Sequence, residues 1–299
     1  MKTSAEETGE EASGTLPTWL SDTVREGRLI GGCRLLECIK DGERGTLFRA
    51  EHVDSRRPAV VKIPVREFVW KRITTAMLEA LVLSYVRHPS IVRIAGAGRD
   101  RDADYLVLEY IPGHNLDQVL QREGPLPPAK AARLLVAAAD ALAEVHRRGV
   151  IHCDLKPGNL MRTPGGDLKL VDFGLARFPG SGAWPFGEGV ITASPHYMSL
   201  EQAEGRPLDC RTDIYSLGAT FYHALTGVPP YGNEDFDTLR RYVAEPPAPL
   251  RASVPGVPKG LADILDRMMS RRREDRYGSM TEVRDTIAAW LKGQGQHAA

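Results

Sequence analysis

The sequence predicts an α+β, bilobal protein: a small antiparallel β lobe that carries one helix, followed by a large, mainly α-helical lobe. Between Cys33 and about Tyr110, short β-branched or alternating runs are interrupted by one helical stretch. After Pro112 the apolar residues recur at helical spacing, and Gly and Pro clusters separate the helical segments.

The elements follow in order along the chain. The predicted strands are Arg34 to Ile39, Thr46 to Ala50, Ala59 to Ile63 and Tyr105 to Glu109, and the helix among them is Thr74 to Val86. Later helices are predicted over 128–147 and near 211–225, 261–269 and 281–291. The predicted division is a disordered segment 1–28, a first lobe 29–111, a second lobe 112–292 and a flexible tail 293–299.

Composition excludes several classes of partner. The 39 basic and 39 acidic residues balance, so no overall field attracts nucleic acid or an anionic membrane. The four cysteines lack the spacing of a disulfide scaffold or a zinc site, which favours a reducing compartment. No apolar run reaches the roughly 18 residues that a membrane span needs. We therefore expect a cytoplasmic protein, and the sequence leaves its oligomeric state open.

Lys62 and Glu79 are charged residues that lie in apolar stretches of the sequence. Lys62 lies in the strand Ala-Val-Val-Lys-Ile, and Glu79 shares a helical stripe with apolar residues. Since an unpaired buried charge is costly, pairing the two is economical and would leave the ammonium able to hold a phosphate. The alternative is a lysine that snorkels at a strand edge.

Gly42 and Gly45 lie between two predicted strands that precede Lys62. Glycines at this place let backbone amides approach phosphate oxygens. The alternative is a plain hairpin turn.

A second hairpin is predicted around Gly165 and Gly166. A turn centred on the bond between them would place Asn159 opposite Asp172. An amide and a carboxylate beside substrate phosphates suit Mg2+. Asp154 lies five residues before Asn159 and could receive a hydroxyl proton. Alternatively, these polar residues cap the hairpin.

Seven motifs stand in one order along the chain. They are Gly42 with Gly45, Lys62, Glu79, His152-Cys153-Asp154 with Asn159, Asp172-Phe173-Gly174, Tyr197 to Glu201, and Asp213 to Gly218. In this order the chain resembles the eukaryotic-type protein serine/threonine kinases of bacteria over roughly residues 33–291.

The resemblance implies ATP and Mg2+ as cofactors, with Mn2+ as an alternative metal, and Ser/Thr hydroxyls of proteins as substrates, its own included. It assigns catalysis to Asp154, Lys156, Lys62 and Glu79, and the metal to Asn159 and Asp172. The implied ATP-binding residues are Ile39, Gly42, Gly45, Leu47, Val60, Lys62, Leu108, Glu109, Ile111 and Met161. The implied structural residues are His152, Phe173, Glu201, Asp213 and Arg276, with Glu201 paired to Arg276 and with Leu83, Ile94, His152 and Phe173 stacked in a spine.

Three departures from the family pattern are informative. Lys40 replaces a loop glycine and Val60 replaces a common alanine. Cys153 stands where the family has an arginine that clamps a phosphorylated activation loop, and a thiol makes no such charge-assisted bonds. We therefore expect activity that does not depend on loop phosphorylation, although Thr192 and Ser194 are candidate phosphosites. A redox switch at Cys153 is the alternative.

Two other functions stay open at this point. A pseudokinase that only binds partners would explain the departures, and Asp154 to Asn159 also suits kinases of small molecules. The complete catalytic set argues against the first, and Lys156, Phe173-Gly174 and the Tyr197 to Glu201 segment argue against the second.

Overall fold

The computed structural model describes residues 27–42, 44–65, 68–70, 73–101, 103–178, 194–232 and 245–296. The chain divides into two compact units, one formed by residues 1–66 and 96–108 and the other by 67–95 and 109–299. The predicted lobe boundary between residues 111 and 112 stays a prediction.

The first unit is built on one sheet of six strands in the order β1-β2-β3-β4-β8-β7. These strands are β1 Leu29–Ile30, β2 Cys33–Gly42, β3 Gly45–His52, β4 Pro58–Pro64, β7 Ile94–Asp100 and β8 Ala103–Glu109. The pairs β1–β2, β2–β3 and β3–β4 are antiparallel. The alternation predicted for this part of the chain is typical of such a sheet with one buried face.

One face of this sheet holds the core of the first unit. The buried side chains come from all strands except β7, and they include Leu35, Phe48, Val61 and Val107. Because successive strand residues point to opposite faces, alternate positions of β3 and β4 supply this cluster. Lys62, which lies between the buried residues Val61 and Ile63, belongs to the other face.

The second unit contains the helices and two small sheets. The helices are α1 Thr75–Tyr85, α2 Leu116–Glu123, α3 Pro128–Arg147, α4 Leu200–Ala203, α5 Cys210–Thr226, α6 Leu250–Ser253, α7 Lys259–Met268 and α8 Met280–Gln296. The strands are β5 Phe68–Trp70, β6 Ile73–Thr74, β9 His114–Asn115, β10 Leu160–Arg162 and β11 Leu168–Leu170. β5 pairs with β6, and β10 lies between β9 and β11.

The long helices form because their apolar residues lie along one side of the helix or around its whole circumference. In α3, buried alanines and leucines line one side, and the helix packs against α8 and α5. α5 is buried on nearly all sides, starts at the N-cap Asp209 and ends at Gly227, which has the left-handed φ of +83°. α3 and α5 thereby form the centre of the unit.

The predicted helices agree with the structure within one residue at their N-termini, apart from α7, which begins two residues earlier. The sequence-based prediction omitted the strands β1, β5, β6, β7 and β9 and the helices α2, α4 and α6. β7 contains four Gly and Ala residues in a row, Ala95 to Gly98, and so lacks the β-branched composition of a strand. Among the described residues, no helix is both long enough and apolar enough to cross a membrane.

Candidate active site

Asp154 lies at the centre of a compact polar cluster. Lys156 Nζ is 2.9 Å from Asp154 Oδ2 and donates to Ser194 Oγ at 3.0 Å. The backbone N–H of Ser194 donates to Asp154 Oδ1 at 3.4 Å. The Asp154 side chain is only 2% exposed, so these contacts fix its orientation. Ser194 therefore contacts both Asp154 and Lys156.

The segment that carries Asp154 is anchored by a second, fully buried carboxylate. Asp213 Oδ2 accepts from the backbone N–H of His152 at 2.8 Å, and Oδ1 accepts from that of Cys153 at 3.0 Å. His146 Nε2 also donates to Asp213 Oδ2 at 2.8 Å. Burial raises the pKa of Asp213, but the hydrogen bonds from the His146 side chain and from the His152 backbone outweigh it, so the net pKa is lowered. The carboxylate stays ionised, as its three donors require.

His152 and Phe173 lie in contact behind this cluster. Their ring centroids are 4.7 Å apart, and burial lowers the pKa of His152, so the ring stays neutral. His152 Nδ1 accepts from the backbone N–H of Asp154 at 3.3 Å. Glu79 Oε1 accepts from the backbone N–H of Phe173 at 3.3 Å. Two members of the predicted spine, together with Glu79, therefore support the segment around Asp172.

The predicted pairing of the hairpin is wrong by one residue. Leu160 pairs with Leu170, and the backbone N–H of Val171 donates to the carbonyl of Asn159, so Asn159 lies opposite Val171 and not Asp172. The reason is a three-residue loop, Pro164 to Gly166, in place of the two-residue turn that we expected. Thr163 closes this loop by bonding to Asp167, and Gly166 takes a φ of +89°, which favours glycine.

Asn159 instead bonds to Asp154. Its Nδ2 donates to the Asp154 carbonyl oxygen at 2.7 Å and to Asp154 Oδ2 at 3.1 Å. A carbonyl oxygen only accepts, so the amide nitrogen must face it, and Oδ1 remains as the oxygen that can bind a cation. Among the described residues, no group of three or more His, Cys, Asp or Glu is arranged to hold a metal. An amide oxygen and the Asp172 carboxylate fit a Mg2+ ion that takes its other ligands from phosphates and water.

Glu201 and Arg276 form the predicted pair, and both side chains are buried. Arg276 Nη1 and Nη2 donate to Glu201 Oε1 and Oε2 at 2.7 and 3.0 Å. Thr212 Oγ1 donates to Glu201 Oε1 at 3.0 Å. Burial raises the pKa of Glu201, but the arginine outweighs it and the net pKa is lowered. The pair joins α4, α5 and the segment before α8.

In the first unit, the glycine segment is the turn of the β2–β3 hairpin. Gly42 pairs with Gly45, which has a φ of +118°, and a Cβ at Gly45 would lie 2.2 Å from the Ile63 carbonyl oxygen. Close backbone packing therefore explains Gly45 by itself. Lys62 lies opposite Leu47 in the β3–β4 ladder. The phosphate roles of Gly42, Gly45 and Lys62 stay predictions.

The residues predicted to surround adenine come from both units. Ile39, Leu47, Val60 and Leu108 belong to strands of the first unit. Glu109, Ile111 and Met161 belong to the second, where Met161 on β10 pairs with Lys169 and Asn115. Glu109 donates its backbone N–H to the Arg93 carbonyl at 2.9 Å. Its carbonyl is therefore the backbone group that it can offer to a ligand.

Cys153 is a buried, apolar residue in this structure. It packs with Ile151, Leu175 and Leu208, and it has a φ of +66°. Burial, followed by the charge of Asp213, raises the pKa of the thiol well above its usual value. The reactive thiolate is disfavoured, which argues against the redox alternative. Thr192, the first candidate phosphosite, lies outside the described residues.

Comparison with known proteins identifies the family. Residues 34–287 match the model of the protein kinase domain. The chain belongs to the protein kinase domain family. It is 31% identical over 261 residues to a probable serine/threonine-protein kinase of Clostridium perfringens, covering 86% of this chain and 38% of the relative. It is 33% identical to the serine/threonine-protein kinase pkn2 of Myxococcus xanthus, covering 87% and 32%. For PknB of Mycobacterium tuberculosis the identity is 30%, covering 95% and 45%.

The chain thus spans less than half the length of these curated relatives. The predicted kinase fold class, a small antiparallel β lobe with a large helical lobe, is confirmed. Two residues of this kinase domain that support Asp154 were missed by the sequence analysis. Gln202 Nε2 donates to the Cys153 carbonyl at 2.9 Å, and His146 binds Asp213. Both are distant in sequence from their partners, and no local pattern marks them.

Proposed function

We propose that this chain is an ATP-dependent protein kinase that transfers the γ-phosphate to serine and threonine hydroxyls of proteins, its own included. The observation that carries the proposal is the cluster of Asp154, Lys156, Asn159 and Ser194. A purely structural role rarely requires a buried carboxylate that is held at once by a lysine, an amide and a backbone N–H. A carboxylate that accepts the hydroxyl proton, with an Asn beside it, is the arrangement that protein kinases use for phosphoryl transfer.

In the proposed reaction, Asp154 orients the substrate hydroxyl and accepts its proton. Asn159 and Ser194 hold the carboxylate so that the attacking oxygen is aligned with the γ-phosphorus. Lys156, 2.9 Å from Asp154, stabilises negative charge on the transferred phosphoryl group.

Asn159 Oδ1 and the Asp172 carboxylate would hold Mg2+, with Mn2+ as an alternative. When bound, the metal neutralises charge on the phosphate oxygens. Glu79 supports Asp172 through the backbone of Phe173. Lys62 and the β2–β3 turn would hold the phosphates, and the Glu109 carbonyl and Ile111 N–H would bind adenine. The four cysteines are all free, which suits the proposed cytoplasmic location.

The proposal predicts transfer that depends on Asp154 and Asp172. Purified protein is incubated with labelled ATP, Mg2+ and either a generic basic protein or small hydroxylated compounds, beside Asp154→Ala and Asp172→Ala. Label on the protein substrate that disappears in both variants is the expected result. ATP binding without transfer would indicate a pseudokinase, and label on small hydroxylated compounds alone would indicate a small-molecule kinase. Either result contradicts the proposal.

We further propose that loop phosphorylation does not control activity. Cys153 contributes no charge at the position where the family has its clamping arginine, and its side chain is buried among apolar residues. Ser194 already accepts from Lys156, and a phosphate there would face Asp154. These contacts favour Thr192 over Ser194 as a phosphosite without an activating role.

Thr192→Ala is therefore expected to leave kcat within about twofold of wild type, since no phosphate clamp is lost. The comparison uses wild type treated with phosphatase and then assayed at once. Cys153→Arg is the second variant in the comparison, because it restores the cation that the family has at this position. A tenfold or larger loss of kcat in both phosphatase-treated wild type and Thr192→Ala would contradict the proposal.

A further inference from the structure

Three donors converge on the Glu109 side chain, and the proposed reaction uses none of them. The backbone N–H of Arg93 donates to Glu109 Oε1 at 3.0 Å, and Arg93 Nε donates to Oε2 at 3.1 Å. Lys169 Nζ donates to Oε1 at 2.5 Å. Glu109 is 17% exposed and Lys169 is 22% exposed, so their ion pair is largely shielded from water, whereas the Arg93 side chain is 79% exposed.

These contacts join Glu109, the last residue of β8, to the hairpin of the candidate site. Lys169 is the central residue of β11. The segment before Arg93 is also paired with this strand, because Val92 N–H donates to the Leu170 carbonyl and Leu170 N–H donates to that of Ser90. Glu109 is therefore bound to β11 directly through Lys169 and indirectly through Arg93.

β11 leads directly into the candidate metal site. Val171, the next residue, donates its N–H to the Asn159 carbonyl, and Asp172 follows. The backbone of Glu109 is held as well, because its N–H bonds to the Arg93 carbonyl. The hydrogen bonds of its side chain and of its main chain thus hold Glu109 in one position relative to β11, the strand that precedes Asp172.

We infer that Glu109 is a positioning residue for ATP. Its carboxylate sets the place of its own carbonyl and of the Ile111 N–H, the two groups proposed to bind adenine, relative to the hairpin that carries Asn159. This inference rests on the proposed function. A charged acceptor suits this task because its hydrogen bonds to cations are shorter and stronger than those of a neutral amide.

The test is Glu109→Gln, with Lys169→Gln and the double variant to complete a cycle. The affinity for a non-hydrolysable ATP analogue, KM for ATP, KM for the protein substrate, and kcat are measured. We expect a weakening of analogue binding and a rise in KM for ATP of about 5- to 10-fold in Glu109→Gln, with kcat and the other KM within about twofold. Lys169→Gln should give a similar effect, and the double variant should add little to either.

Glu144→Gln is the matched control. Glu144 on α3 is 16% exposed and is held by two cations, Arg147 and Arg148, at 2.7 to 2.9 Å. It should leave ATP binding unchanged. If Glu109→Gln behaves like this control, or if both KM values, kcat and Tm all shift together, the positioning role is overturned. Wild type that binds the analogue without transferring phosphate would overturn only the proposed function, and wild type that binds no nucleotide would overturn both.

Discussion

Replacing Arg276 with methionine is expected to lower the free energy of unfolding by about 3–5 kcal/mol, because it leaves a buried carboxylate without its partner. Arg276 is fully buried beside Glu201, which is almost fully buried. It also donates to the carbonyls of Ser270, Arg211 and Arg271. Unfolding in denaturant measures the loss.

Two controls separate this pair from ordinary surface charges. Arg273→Met removes partly exposed ion pairs with Asp209 and Glu274, so it should cost only about 0–1 kcal/mol. Glu201→Gln combined with Arg276→Met removes both charges and should be less damaging than Arg276→Met alone. A loss below about 1 kcal/mol in Arg276→Met would contradict this account.

The pH dependence of the pair has a definite sign. The net pKa of Glu201 is lowered in the folded chain, so the stabilisation is present above the unfolded pKa of about 4.5 and is lost as pH falls through the folded value. In Arg276→Met, burial without the arginine would raise that pKa. The gap in stability between wild type and variant should therefore narrow on acidification from pH 7, and a constant gap would contradict the pairing.

Asp154→Asn is expected to reduce kcat by about 10²- to 10⁴-fold, the contribution of a positioned general base. An amide keeps the shape of the side chain, but it is not basic and so cannot accept the proton of the substrate hydroxyl. Affinity for the ATP analogue should stay within about twofold, because Asp154 contacts the hydroxyl and not the nucleotide in the proposed arrangement. Steady-state kinetics and calorimetry measure the two quantities.

Asp167→Asn is the control for this substitution. Asp167 is exposed in the loop between β10 and β11, and its backbone carbonyl makes the loop bond to Thr163. It should keep wild-type kcat. A decrease of less than about tenfold in Asp154→Asn would remove Asp154 from the role of base.

Much of the fold follows from local patterns. α3 was predicted with its observed bounds because its apolar stripe is long, and Pro128 marks its first turn. The hairpin shows where such patterns fail. Its composition predicted two strands and a glycine turn, but a loop of three residues shifts the register by one, and both loop lengths suit the same sequence.

The candidate site also contains some residues that the sequence predicts and others that it does not. Asp154, Lys156 and Asn159 lie close in sequence, so their spacing indicated a common role. His146, Gln202 and the contacts of Glu109 depend on the packing of distant segments, which spacing does not encode. The sequence marks Cys153 as a departure from the family pattern, whereas its apolar surroundings and its raised thiol pKa depend on the fold.

The most direct test of the central claim is acid hydrolysis of a protein substrate labelled by wild type with γ-labelled ATP and Mg2+, followed by separation of the phosphoamino acids. We predict phosphoserine or phosphothreonine with wild type and almost none with Asp154→Asn at equal ATP occupancy. Equal labelling by wild type and Asp154→Asn, or no phosphoamino acid from a wild-type protein that binds ATP, would contradict it.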